Sequence, residues 1–148
     1  MSDKPLEMKM TIPSATEFVS IVRLAISGVA SRMNFTIEEI EDIKISVSEA
    51  CTNAIQHAYS DGNGVDDKIH ITARMHPDEL EIEVKDKGTG FDLSILGTKA
   101  QKEASEEKLG LGLGITFIKN LMDHAEFTSN KSEGTTVKMF KKAPTAFQ

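Results

Sequence analysis

The chain has 148 residues, of which 39% are hydrophobic, and its formal net charge is −6 at neutral pH. These values suit one compact soluble domain over residues 1–148. They argue against direct nucleic-acid binding, because phosphate-backbone binders concentrate Lys and Arg. Cys51 is the only cysteine, so no internal disulfide can form. No apolar run reaches the roughly 20 residues of a membrane span. We therefore expect a cytoplasmic protein without a membrane partner.

The first 33 residues predict a strand and a helix. Residues 6–12 alternate apolar and polar side chains, as a half-buried strand does, and Pro13 ends the alternation. Apolar residues then recur at spacings of three and four from Thr16 to about Met33, which is the helical period. We expect Ser14 to cap this helix.

A second helix is predicted from Thr36 to Tyr59, because Thr36 and Glu39 have the spacing of a capping box. Three polar residues recur at steps of four within it and would share one helical face: Glu49, Asn53 and His57. Such a stripe is also typical of the solvent-facing side of an amphipathic helix. However, a carboxylate can accept a proton, and an amide oxygen one turn later can bind a hard cation. The stripe is therefore also a candidate site.

Four further strands complete the predicted sheet. Segments 68–75 and 79–86 alternate cleanly and predict one pair of strands, and segments 125–130 and 135–140 around the turn KSEG predict another. Between the hairpins, residues 92–109 are polar, and an unstructured loop of this length is typically a functional lid or disordered. The order of elements predicts an α+β fold, a two-layer α/β sandwich with helices on one face of a mainly antiparallel five-stranded sheet.

Two glycine-rich loops lie in the second half of the chain. In DKGTG, Gly88 and Gly90 would let the backbone approach a flat ligand, while Asp86 accepts a hydrogen bond from an exocyclic amine. D-x-G-x-G is also a common surface turn. GLGLG at 110–114 precedes an apolar helix predicted to about Asp123, and a glycine-rich helix start leaves N–H groups for phosphate. This loop matches neither the P-loop pattern nor a dinucleotide fingerprint.

Taken together and in this order, four motifs resemble the N, first glycine and second glycine boxes of the histidine-kinase-like ATPase family: EACTNA (49–54), DKGTG (86–90), GLGLG (110–114) and GTT (134–136). Residues 23–59 look like the first half of bacterial anti-sigma factor serine-protein kinases of the RsbW type. The resemblance implies a homodimer that binds ATP and Mg²⁺ and sequesters a sigma factor in stress control. It also implies phosphorylation of a serine on an anti-anti-sigma (antagonist) protein.

The resemblance also implies roles for single residues. Glu49 matches the general base, Asn53 the magnesium ligand, and Asp86 the acceptor for the adenine amino group. The remaining implied nucleotide-binding positions are His57, Gly88, Gly90, Gly110, Gly112, Gly114 and Thr135, within and beside an ATP lid at about 92–112. Packed structural roles stay open for His57 and Thr135.

Some features of the sequence leave the activity of the protein or the role of a residue open. Some relatives carry a lid arginine, whereas residues 92–109 contain lysines only, and Lys108 would substitute as a point charge. A nucleotide-dependent partner-binding module with little or no kinase activity is therefore the alternative function. A fragment of a sensor kinase or of a gyrase-like ATPase is a third interpretation, and we do not favour it, because this sequence shows neither a phosphoacceptor helix nor a transducer domain. Arg23 lies where relatives contact partners but also suits an ordinary exposed position, and Cys51 suits a small core residue.

Overall fold

The structure is a computed structural model that describes residues 4–58, 67–87, 112–130 and 134–144. It contains five strands, three α-helices, a 3₁₀ turn and a π-helical turn. In chain order these are β1 (Leu6–Pro13), the 3₁₀ turn (Thr16–Phe18), α1 (Val19–Arg32), α2 (Ile37–Asn53), the π-helical turn (Ala54–Ala58), β2 (Lys68–Met75), β3 (Glu79–Asp86), α3 (Gly112–Leu121), β4 (His124–Asn130) and β5 (Gly134–Lys142).

The five strands form one sheet in the order β1-β2-β3-β5-β4, and each neighbouring pair is antiparallel. One row of paired residues runs across all five strands: Met10, Ile71, Val84, Val137 and Phe127. All five side chains are apolar because the alternation in each strand turns them to the same face. The predicted five-stranded antiparallel sheet is thereby confirmed.

The start of the first helix differs from the prediction. Ser14 does not cap it, because the chain leaves β1 through a 3₁₀ turn whose N-cap, Ala15, makes no side-chain hydrogen bond. The backbone N–H of Ser14 instead donates to the carbonyl oxygen of Asp67 at 3.0 Å. As a result, α1 begins only at Val19.

The second helix begins as predicted and ends earlier. The Thr36 hydroxyl accepts from the Glu39 N–H at 3.1 Å, and the Glu39 carboxylate accepts from the Thr36 N–H at 2.9 Å. This reciprocal capping box satisfies two N–H groups at the start of α2. The α-helix ends at Asn53 and the π-helical turn follows directly to Ala58, so the helix predicted to Tyr59 is α-helical only as far as Asn53. Tyr59 itself lies outside the described residues.

The helices form a layer on one face of the sheet, with α1 and α3 both packed against α2. In turn, α1 lies on β2, and α2 lies on β3. The large side chains at the centre of this interface are fully buried, namely Ile26, Ile43, Ile69, Ile71, Leu80, Ile82, Ile118 and Met139. This arrangement confirms the two-layer α+β fold. Within the described ranges, no helix combines the length and apolar character that a membrane crossing requires.

The other face of the sheet is polar. Arg74 on β2 binds three carboxylates from its two neighbouring strands: Glu7 at 2.9 Å, Glu81 at 2.7 Å and Glu83 at 3.2 Å. The hydrogen bond from Arg74 lowers the pKa of Glu7 from its ordinary value. This cross-strand charge pairing is typical of a solvated sheet face, and the helices that the structure describes lie on the opposite side.

Candidate active site

Glu49 and Asn53 lie one turn apart near the end of α2, on the same face of the helix. Both residues are half-buried. Neither side chain has a hydrogen-bond or ion-pair partner among the residues that the structure describes. The carboxylate and the amide are therefore available to a ligand, and the predicted pairing of these two residues on one α-helical face is correct.

His57 does not continue that α-helical face. Its backbone belongs to the π-helical turn, which packs against β3 and β5. A π-helical turn has i→i+5 hydrogen bonding, so the α-helical step of four that grouped His57 with Glu49 and Asn53 does not hold there. The His57 side chain lies outside what the structure describes. Short π-helical turns often occur at functional sites.

Asp86 ends β3 on its inner face, in the same alternation as Ile82 and Val84. The residue is only 2% exposed. One carboxylate oxygen, Oδ1, accepts the backbone N–H of Thr135 on β5 at 3.2 Å. A buried carboxylate is costly without hydrogen-bond donors, so this contact both offsets the cost and fixes the orientation of the group. The structure thus brings Asp86 and Thr135 together, through the Thr135 backbone.

Gly134 makes that contact possible, and sequence reasoning gave it no role. Its φ is +87°, a conformation that residues with a Cβ rarely adopt. A Cβ here would lie 2.3 Å from the carbonyl oxygen of Asp86 and 2.9 Å from its Oδ1. Glycine is therefore required where β5 starts against Asp86. The GTT motif contained the signal, since a glycine before a strand often marks a close backbone approach.

The helix α3 starts at Gly112 and includes Gly114 in its first turn. The first N–H groups of any helix have no partner within it, and the positive end of the helix dipole favours anions. Because α3 packs against α2, the helix start and the Glu49 face belong to neighbouring elements. This end of α3 is suited to phosphate oxygens.

Several predicted residues lie outside the described part of the chain: Gly88, Gly90, Gly110, Lys108 and most of the lid predicted at about 92–112. Their roles stay predictions.

A divalent metal fits this site only together with ligand oxygens. The described residues contain no group of three or more His, Cys, Asp or Glu side chains that could hold a metal ion. Mg²⁺ commonly keeps several waters and takes one or two protein oxygens plus substrate phosphates. Asn53, a half-buried residue, can supply one such oxygen ligand from its side-chain amide. The residues present therefore fit Mg²⁺ that arrives with a nucleotide.

Cys51 is a core residue, as predicted, since it is fully buried. Burial raises the pKa of its thiol to about 12, so the thiol is neutral at physiological pH. A neutral buried thiol is a poor nucleophile. Cys51 therefore contributes packing beneath the Glu49 face of α2.

Comparisons with known proteins agree with this geometry. Residues 12–141 match the family described as Histidine kinase-like ATPase domain. The chain is 44% identical to "Serine-protein kinase RsbW" of Bacillus pumilus (strain SAFR-032), over 90% of this chain and 84% of the relative. The protein of the same name from Bacillus subtilis (strain 168) is 42% identical, over 90% of this chain and 84% of the relative. The one from Staphylococcus aureus (strain JH9) is 39% identical, over 95% and 89%.

A solved structure supports the fold. The chain resembles the crystal structure of the RsbU and RsbW domains of a Mycobacterium tuberculosis protein with a TM-score of 0.67. The match covers 97% of this chain and 34% of that one, at 18% sequence identity. At this identity the likeness concerns the fold alone, and it agrees with the two-layer arrangement described above.

Proposed function

The chain belongs to the histidine kinase-like ATPase family and is a serine-protein kinase of the RsbW type. From this premise we propose its substrate, its partners and the roles of its site residues. Its substrate is a serine hydroxyl on a small anti-anti-sigma (antagonist) protein, and its phosphoryl donor is ATP with Mg²⁺. It also sequesters a sigma factor. The observation that carries this proposal is the Glu49–Asn53 pair on α2, which has no partner among the described residues and lies on the helix that packs against β3, the strand that ends at Asp86.

Adenine recognition is assigned to Asp86. Because Thr135 holds one oxygen of a buried carboxylate in place, the group is oriented before any ligand arrives. A carboxylate accepts hydrogen bonds and donates none, so it selects the amino group of adenine over the carbonyl oxygen of guanine. Pre-orientation lowers the entropy that binding must offset.

Phosphate binding is assigned to the start of α3 as the structure describes it, at Gly112 and Gly114, because the first N–H groups of a helix have no acceptor within it. Asn53 would hold Mg²⁺ through its amide oxygen, together with phosphate oxygens and water. When bound, Mg²⁺ supplies positive charge beside the phosphate groups and so stabilises the charge of the transition state.

Proton transfer is assigned to Glu49. The serine hydroxyl oxygen attacks the γ-phosphorus, the new O–P bond forms as the bond to the β–γ bridging oxygen breaks, and ADP leaves. Glu49 accepts the hydroxyl proton and passes it to solvent. A positioned general base typically contributes about 10² to 10⁴ in rate.

Partner binding is assigned to the outer face of α1. Arg23 on this helix has a buried Nε without a hydrogen-bond partner in the described part of the chain, and Ile21 and Leu24 beside it are exposed. The buried Nε itself is out of reach of a partner, and the feature that favours a protein contact is the pair of exposed apolar side chains, Ile21 and Leu24, beside an arginine. This contact belongs to a cytoplasmic homodimer or to the sigma factor.

The test is transfer to a captured partner. The protein is incubated in cytoplasmic extract with ATP or with ADP, and the proteins retained in each state are identified. Purified candidates then receive γ-labelled ATP and Mg²⁺, and mass spectrometry maps the labelled residue. Phosphoserine on a small protein whose retention changes with the nucleotide is expected. ATP binding without label on any retained protein would contradict the proposed transfer.

That contradicting result is what the second candidate function predicts, namely a nucleotide-dependent partner-binding module. The observation that favours it is the absence of arginine between residues 92 and 109, which contain only lysines as cations. A lysine provides a point charge without the planar fork of arginine, so the transition-state charge would be less well stabilised.

A further inference from the structure

Lys141 interrupts the apolar alternation on the inner side of β5. Val137 and Met139 face the helix layer and are buried, and Lys141 follows at the same period of two. Its side chain is only 11% exposed. Burying an ammonium group is costly unless it is paired and hydrogen-bonded, so the partners of Lys141 must offset that cost.

Those partners come from two helices. Nζ of Lys141 donates to the carbonyl oxygen of Leu121, the last residue of α3, at 2.5 Å. It also lies 3.7 Å from Oδ2 of Asp42 on α2. A cation at a helix C-terminus interacts favourably with the helix dipole and satisfies a carbonyl oxygen that has no partner within the helix. One side chain of β5 therefore joins α3 to α2.

Two more hydrogen bonds fix the same corner of the fold. The N–H of Asp123 donates to the carbonyl oxygen of Phe140 at 2.9 Å, and the N–H of Lys142 donates to Oδ2 of Asp123 at 2.7 Å. The turn after α3 is thereby bound to β5 on both sides of Lys141. The C-terminal end of α3 is the anchored end.

The opposite end of α3 is the proposed phosphate site. A helix of 10 residues is about 15 Å long and behaves as a rigid rod, so the anchor at Leu121 sets where Gly112 lies. Asp42 belongs to the helix that carries Glu49, about two turns further along. The two helices that hold the two halves of the site are thus joined at their distant ends.

We propose that Lys141 is a positioning residue for phosphoryl transfer, acting as a clamp that sets the separation between the start of α3 and the Glu49–Asn53 face of α2. This inference rests on the proposed function for the roles of those two elements. A displacement of about 1 Å in a reacting group can cost about 10²-fold in rate. The clamp therefore has a function beyond stability.

The experiment uses four variants of the full chain. Lys141→Met removes the charge and the donor while keeping most of the side-chain volume, and Lys141→Arg keeps a charged donor. Asp42→Asn removes the charge on the α2 side with an isosteric side chain, at a position that is 37% exposed. Lys138→Met is the matched control, because it removes a lysine from the same strand on the open polar face.

The first readout is the ratio of the ATP dissociation constants measured without and with Mg²⁺, which requires no catalysis. Asn53 on α2 and the phosphates at α3 meet only if the helices are correctly spaced, so the ratio reports the spacing. When one ligand changes the affinity for another, the change is typically about 5- to 150-fold, so an effect of Mg²⁺ on the ATP dissociation constant in this range is measurable. We expect Lys141→Met to lose most of the wild-type ratio, Asp42→Asn part of it, and Lys141→Arg and Lys138→Met little.

The second readout is transfer at saturating ATP. Lys141→Met should lower kcat by about 10- to 100-fold while the ATP affinity without Mg²⁺ changes little. A wild-type Mg²⁺ ratio in either Lys141→Met or Asp42→Asn would overturn the clamp, and so would a wild-type protein whose ATP affinity is insensitive to Mg²⁺. If the wild type transfers no phosphoryl group, the proposed function fails, and the Mg²⁺ ratios then still decide whether Lys141 sets the spacing of α2 and α3.

Discussion

Gly134→Ala is the substitution that tests most sharply how Asp86 is held. The added Cβ would lie 2.3 Å from the Asp86 carbonyl oxygen and 2.9 Å from Oδ1, in a backbone conformation with φ of +87°. A Cβ in the left-handed region costs about 1–2 kcal/mol, and overpacking a tight contact typically costs about 1–3 kcal/mol. The free energy of unfolding should fall by about 2–5 kcal/mol, because backbone rather than a flexible side chain must move.

The same substitution should weaken nucleotide binding. The backbone shift that relieves the overlap moves Asp86 or breaks its hydrogen bond from Thr135, and a hydrogen bond to a charged group contributes about 1.5–3 kcal/mol. We therefore expect an ATP dissociation constant about 10- to 100-fold higher in the folded variant. Urea unfolding and calorimetric titration with ATP measure the two effects separately.

Gly28→Ala is the control for this prediction. Gly28 lies inside α1, and among the described residues no heavy atom beyond its chain neighbours and its own helix backbone lies within 4 Å of a Cβ placed there. Alanine in a helix interior is favoured over glycine by about 0.5–1 kcal/mol, so this variant should gain stability and bind ATP normally. Wild-type stability and ATP affinity in Gly134→Ala would show that the close approach of β5 to Asp86 does not form in solution.

Three further predictions address Asp86 and Asn53 in the candidate site and Cys51 in the core. Asp86→Asn should weaken ATP by about 1.5–3 kcal/mol and GTP by less, and equal losses for both nucleotides would remove Asp86 as the adenine acceptor. Asn53→Asp should shift the Mg²⁺ concentration that half-saturates transfer, whereas superimposable titrations would show that Asn53 is not a ligand. Cys51 should resist alkylation at pH 8 until the protein unfolds. The unfolded thiol ionises near 9.0 and the folded one near 12, so rising pH favours the unfolded state, and stability should fall over this interval in wild type relative to Cys51→Ala. Rapid alkylation of the folded protein would contradict its burial.

Most of the fold was predictable because the hydrophobic periodicity and the turn and capping residues indicate the same elements along the chain. Clean alternation predicted β2 and β3, the turn KSEG marked the last two strands, and the capping box of Thr36 and Glu39 predicted the start of α2. The exit from β1 was less predictable. Ser14 has a capping side chain, yet a 3₁₀ turn comes first, and local propensity does not encode that choice.

The end of α2 shows a different limit. The apolar period continued through residue 59, but the helix changes to π-helical geometry after Asn53, where it packs on β3 and β5. Tertiary contacts decide such a change, so the sequence pattern alone placed His57 on a continuous α-helical face. Glu49 and Asn53 were correctly paired because the α-helix still holds at both positions.

The two supporting residues were missed for a common reason. Gly134 acts through a contact with Asp86, 48 residues earlier, and Lys141 acts through a contact with Leu121, 20 residues earlier. In both cases the residue type was unusual for its place, a glycine at a strand start and a lysine on an inward position. An unusual residue type indicates that a close contact exists at that position, whereas only the folded chain shows which residue makes the contact.

The central claim is that Glu49 is the general base of a serine kinase. The measurement is the single-turnover rate of γ-phosphoryl transfer to the serine substrate at saturating ATP and Mg²⁺, for wild type and for Glu49→Gln, with Glu38→Gln on the exposed first turn of α2 as the control. The amide keeps the shape but cannot accept the proton, so Glu49→Gln should bind ATP normally and transfer about 10²- to 10⁴-fold more slowly, while Glu38→Gln stays at the wild-type rate. Transfer by Glu49→Gln at the wild-type rate would contradict the claim.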